Sequence, residues 1–119
     1  MGKYNLELGN LGEKIAKKYL ENKGYKIIEQ NCRNKYGEID LICRDRDCLI
    51  FIEVKTRSKE QFGTPEDALN KNKIQRLIKN SEAYMLRKGY RVNYRIDAIC
   101  IVLDKDKRPK RIDHYENIN

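Results

Sequence analysis

The sequence predicts an α+β protein, a mixed β-sheet flanked by helices in the order α-β-β-β-α-β-β, and three observations lead to it. The first is a pair of period-two segments around a polar turn. Ile39, Leu41 and Cys43 alternate with Glu38, Asp40 and Ile42; after Arg44-Asp45-Arg46-Asp47, Ile50, Ile52 and Val54 alternate with Phe51, Glu53 and Lys55. The second is helical spacing on either side of that pair, in Leu8, Leu11, Ile15, Tyr19 and Leu20 before it and in Ile74, Leu77, Ile78, Tyr84 and Met85 after it. The third is the unbroken apolar run Ala98 to Leu103, the pattern of a strand buried on both faces.

In chain order, residues 6 to 23 form an amphipathic helix ended by Gly24. Gly9, Gly12 and Ala16 give it a flat strip for close approach to the sheet, and Glu13 lies at the border of its apolar stripe. Tyr25 to Gln30 is a first strand, and Asn31 to Tyr36 is a polar connection in which Arg33 and Lys35 read as solvated loop residues, with contact to phosphate as the alternative. Gly37 to Arg57 is the hairpin, and Ser58 to Gly63 a charged, mobile loop. Thr64 is an N-cap with Pro65 at the first helical position, and Gly89 ends that helical region. Asn70 and Asn72 can interrupt it, leaving a short helix before a longer one. Val92 to Leu103 is the buried strand, Asp104 to Pro109 a turn, and Lys110 to Tyr115 an edge strand. Asp97 either supports the acidic site from behind or pairs with Arg95, and the second is favoured. Lys110, Arg111 and His114 put basic groups on the edge strand, which discourages edge-to-edge aggregation.

Register decides what the hairpin does. A two-residue loop at Arg46-Asp47 pairs residues whose numbers sum to 93, which sets Asp40 opposite Glu53 and Glu38 opposite Lys55. Opposed residues have Cβ atoms about 4.5–5.5 Å apart, and like charges so placed repel. On a solvated face such acids are ordinary, but Ile42 and Phe51 share this face, and buried unpaired carboxylates are costly. A divalent cation between the acids removes the conflict, since Mg²⁺ takes oxygen ligands from one or two carboxylates and keeps waters for substrate.

The spacing Asp40, then Glu53-Val54-Lys55, resembles the active-site signature of the restriction-endonuclease-like, or PD-(D/E)XK, nuclease superfamily, although Ile39 stands where the signature has proline. Over nearly the whole chain, with G-E-I-D-L-I and F-I-E-V-K-T-R at its centre, the sequence is similar to the YraN-like family of small bacterial proteins, distantly related to archaeal Holliday junction resolvases. The resemblance implies a restriction-endonuclease-like fold, a nuclease-like domain over residues 1–119, and Mg²⁺ or Mn²⁺ bound by Asp40, Glu53 and a first-helix acid, Glu13. It implies catalysis by Asp40, Glu53 and Lys55, and it marks Lys73 as the preferred phosphate contact on the second helix, flanked by Lys71 and Arg76. Arg57, just past the catalytic strand, is either a phosphate contact or a surface arginine. Related junction resolvases act as dimers, so a homodimer is left open.

Composition narrows the partners. Lys+Arg number 26 against 18 Asp+Glu in 119 residues, a net charge of +8 and a pI near 9.3. That excess favours polyanions, nucleic acid ahead of membrane, and the resemblance puts DNA ahead of RNA. No apolar run approaches a membrane span, and the first residues lack the apolar core of a secretion signal, so a cytoplasmic location is expected. Cys32, Cys43, Cys48 and Cys100 make no C-x-x-C pair and His114 is the lone histidine, which argues against zinc and for reduced thiols. The expected activity is metal-dependent endonucleolytic hydrolysis of DNA, including branched or junction DNA. The alternative is a nucleic-acid-binding module whose nuclease site is weak or partner-dependent. An interaction protein using the sheet edge would show neither metal-dependent product nor salt-sensitive binding.

Overall fold

Five strands form one sheet in the order β1-β2-β3-β4-β5, antiparallel except between β3 and β4, which run parallel. They are β1 (Lys26–Asn34), β2 (Gly37–Asp45), β3 (Cys48–Ser58), β4 (Asn93–Leu103) and β5 (Pro109–Tyr115). Helix α1 (Lys3–Asn22) precedes them, and a short 3-10 helix (Pro65–Ala68) and α2 (Lys71–Lys88) make the crossover from β3 to β4. This computed structural model describes residues 3–58 and 63–119; most of the loop expected over Ser58 to Gly63 lies outside the described residues. The arrangement is the mixed α+β sheet expected, consistent with a restriction-endonuclease-like fold.

Two apolar clusters hold the layers together. On one face, Leu8, Ala16 and Leu20 of α1 pack on Leu41, Ile50, Ile52, Ile99 and Ile101. On the other, Leu77, Tyr84 and Met85 of α2 pack on Ile42, Leu49, Phe51 and Ile96. Each large aliphatic side chain so buried contributes about 1.5–3 kcal/mol. The central strands β3 and β4 carry apolar residues on both faces for this reason.

Local sequence explains the element ends. Asn70 caps α2, its Oδ1 accepting from the Lys73 amide at 2.9 Å, so the expected break between a short and a longer helix falls there. Gly89 closes α2 with φ 70°, the left-handed conformation that side chains resist. At the other helix start, the Thr64 amide donates to Asp67 Oδ2 at 2.9 Å, half of a capping box.

Two expectations need correction. β1 runs to Asn34 rather than ending at Gln30, because pairing with β2 carries Cys32, Arg33 and Asn34 into the ladder. His114 is not an exposed edge charge: its side chain is 3% exposed, with Nε2 2.8 Å from Asp97 Oδ2. Asp97 is fully buried and takes Arg95, as favoured from the sequence, together with His114 and the Asn117 amide at 2.9 Å. The four cysteines are free. Among the described residues no helix is long and apolar enough to cross a membrane.

Candidate functional site

Helix α1 delivers one acid by a close approach to β3. A Cβ added at Gly12 would lie 2.9 Å from Thr56 Cβ and 1.8 Å from Thr56 Oγ1, so only glycine fits at this crossing. Gly9 meets nothing within 4 Å, which makes the flat strip narrower than the sequence implied. The next residue after Gly12, Glu13, is thereby held at the sheet margin, its Oε1 accepting from Asn31 Nδ2 at 2.8 Å.

The hairpin delivers the others. β2 and β3 pair in the expected register, from Asp45 with Cys48 to Leu41 with Ile52. The paired ladder ends there, one step before Asp40 and Glu53. Instead the Asp40 carboxylate accepts from the Val54 amide at 2.8 Å. The pleat is broken at the same point: Ile39 packs in the α2-side cluster and Leu41 in the α1-side cluster, although strict alternation would put them on one face. Asn31, on the neighbouring strand, has φ 50°. The break turns Glu38 and Asp40 together towards Glu13. Carboxylate oxygens of Glu13, Glu38 and Asp40 all lie within 4.8 Å of one another.

Glu38 was expected opposite Lys55, and this is a correction. It pairs instead with Arg33 at 3.3 Å and joins the acids, while Lys55 pairs with Glu53 at 3.2 Å. A signal for Glu38 existed, since it stands two residues before Asp40, but an unbroken register had assigned it to the lysine. Glu53 is outside that close group. Its side chain is 3% exposed, and its Oε2 lies 3.2 Å from both Lys55 Nζ and Lys73 Nζ.

The acids frustrate one another. Burial, then the nearby charge of Glu53, pushes the Asp40 carboxyl up to about 8. Burial also raises Glu13, with Glu38 and Glu53 adding to the effect against the hydrogen bond from Asn31. A set of oxygen donors without histidine or cysteine suits a hard cation such as Mg²⁺ or Mn²⁺, and a cation would discharge the conflict between the acids. Of the basic candidates, Lys73 is brought directly to the site, and Arg76 lines a crevice with Lys73, Glu38 and Tyr36. Lys71 is exposed at the start of α2, and Arg57 follows Lys55 along β3 on the same face.

A mixed sheet of this order is consistent with a restriction-endonuclease-like fold, and at its margin Glu13 of α1 meets Glu38 and Asp40 of β2. The chain belongs to the uncharacterised protein family UPF0102, whose sequence profile matches residues 12–101; this is the YraN-like family the motifs resemble. It is 45% identical over 112 residues to a UPF0102 protein of Alkaliphilus metalliredigens, covering 92% of this chain and 94% of that one. It is 46% identical over 114 residues to one of Thermodesulfovibrio yellowstonii, with 94% and 95% covered. To one of Clostridium kluyveri it is 43% identical over 105 residues, with 87% and 86% covered.

Proposed function

We propose that this protein is a Mg²⁺- or Mn²⁺-dependent endonuclease that hydrolyses phosphodiester bonds in DNA, branched or junction DNA included. The observation that carries the reading is the convergence of Glu13, Glu38 and Asp40 within 4.8 Å, with Glu53 and Lys55 beside them. Glu13, Glu38 and Asp40 would hold the cation, with Glu53 joining once freed from its lysines. Bound there, the cation would polarise the phosphate and acidify a water.

The chain's own groups supply the rest. Lys55 is fixed by Glu53 with its ammonium at the site edge, where it orients the attacking water or neutralises charge developing on the phosphoryl oxygens. The Asp40 carboxylate is anchored by the Val54 amide. Lys73 and Arg76 line the crevice beside Glu38, and with exposed Lys71 they would provide affinity for the backbone independent of sequence. One observation favours the alternative, a binding module with a weak or partner-dependent site. Glu53 is neutralised by two lysines, so the resting protein has an internal substitute for the cation.

The test is incubation of pure protein with Mn²⁺ and branched, flapped, single-stranded and duplex DNA, beside Lys55→Ala and Asp40→Asn. Metal-dependent product is expected from the wild type. Lys55→Ala should lose about 10²-fold or more in rate while still binding DNA and metal. Product formed equally by both variants would identify a contaminant, and binding without product would favour the module.

A further inference from the structure

We propose that the cleft beyond Lys55, lined by Arg57, Ser58, Thr64, Lys110 and Arg111, is a second phosphate subsite. It would receive the phosphate next to the scissile one on the same strand. The inference rests on the nuclease reading and extends it, because a strand bound at both phosphates must continue past the cut. The cleft has a volume of about 510 Å³, in the range of sites that enclose a small ligand.

Position comes first. Residues two apart on a strand face the same way and lie about 6.6 Å apart. Glu53, Lys55 and Arg57 therefore form a row on the α2 side of β3, leading from the acids into the cleft. That step is of the order of the distance between consecutive phosphates on one strand. Arg57 is paired in register with Val102, and Val102 with Arg111, so both guanidinium-bearing residues stand on this face with Val102 between them.

Charge separates the roles of the basic residues. Arg111 is already engaged, by Glu66 at 2.7 and 3.2 Å and by Asp113, and it forms the wall of the cleft. Its hydrogen bond holds the Glu66 carboxyl down at about 2, so Arg111 is committed to Glu66 and Asp113 and is not a free cation for a ligand. Arg57 donates to the Thr56 carbonyl at 3.0 Å, leaving guanidinium donors for a ligand, and Lys110 is exposed beside it. Arg57, Lys110 and Thr64 line one opening, and a guanidinium, an ammonium and a hydroxyl suit a phosphodiester oxygen pair.

The test uses a fluorescent single-stranded oligonucleotide, its methylphosphonate versions neutralised one phosphate at a time, and inorganic phosphate. Binding is read by anisotropy in EDTA, which separates it from cleavage. The proteins are wild type, Arg57→Gln with Lys110→Gln, and the charge-conserving Arg57→Lys with Lys110→Arg. Removing two phosphate-binding cations should lower the log–log salt slope by about 1.4, and the charge-conserving pair should keep it. One methylphosphonate position should weaken the wild type several-fold and leave the glutamine variant unaffected. Equal slopes in wild type and the glutamine variant would overturn the subsite while leaving the nuclease reading standing. So would phosphate binding in the cleft with unaltered oligonucleotide binding, which would mark a site for free phosphate. No salt-dependent binding by the wild type would overturn the nucleic-acid reading itself.

Discussion

Asp40 and Asp97 are both acids set into the sheet, and they have opposite fates. Asp97 is fully buried, and Arg95, His114 and the Asn117 amide surround it with donors. Burial alone would raise its carboxyl, but those hydrogen bonds outweigh burial and hold it below the usual carboxylate range. Asp40 receives the Val54 amide but faces Glu53, Glu13 and Glu38, and it is pushed up. A buried acid with its donors in place belongs to the fold. One left among other acids belongs to a ligand that brings positive charge. The same chain builds both within two adjacent strand pairs, which is why the contrast locates the site.

The largest expected effect lies at the satisfied acid. Asp97→Ala removes the buried carboxylate that Arg95 and His114 share, leaving Arg95 with Glu116 at 3.5 Å and the Tyr25 hydroxyl. Breaking a buried pair in this way costs about 3–5 kcal/mol. Urea unfolding should show a loss of that size, with the metal-induced gain in stability unchanged in the folded fraction. A loss below about 1 kcal/mol would mean that Asp97 is not a structural centre, and the comparison would break.

The second effect lies at the frustrated acid and has the opposite sign. A folded-state pKa near 8 against an ordinary value near 4 means the folded protein binds this proton more tightly than the unfolded chain. That contribution is full below pH about 4 and is lost as pH rises through about 8. Without metal, Asp40→Asn should therefore gain on the wild type over that window and melt higher at pH 8, by about 4 °C for each kcal/mol. With Mn²⁺ at 100 times its dissociation constant the wild type should gain about 2.7 kcal/mol, and the variant should lose most of that gain. Equal metal-induced shifts would remove Asp40 from the cation site.

How far the sequence carries can be read from the same residues. The hairpin register was legible because period-two alternation and a two-residue turn leave little choice of pairing. Arg95 was legible as the partner of Asp97 because residues two apart on a strand share a face. Glu38 was not, because register arithmetic assumes an unbroken pleat and the pleat breaks at Asp40. His114 was not, because its place beside Asp97 is set by the β4–β5 pairing and by Tyr19 and Tyr25 packing on its ring. Local patterns determine the elements; approaches between elements far apart in sequence complete both acid networks.

The smallest effect sharpens the comparison, because it asks whether the cations around the two acid networks are alike. Arg95 serves Asp97 inside a closed network, whereas Lys73 reaches Glu53 from α2, the helix that carries the basic flank. Both lysines hold the same oxygen of Glu53, so on the proposed reading Lys73 competes with the ion for that carboxylate. On the same reading, an ion that entered would release Lys73 towards the phosphate. Lys73→Gln should then raise Mn²⁺ affinity by about 3- to 10-fold, on the order of 1 kcal/mol, measured by titration calorimetry without DNA. In the same variant the log–log salt slope for duplex DNA should fall by about 0.9, the share of a single phosphate-binding cation. The two changes run in opposite directions, which general destabilisation cannot produce. Mn²⁺ affinity unchanged or lowered would show that Lys73 is as fixed a partner as Arg95, and that Glu53 stays with its lysines when the ion is bound.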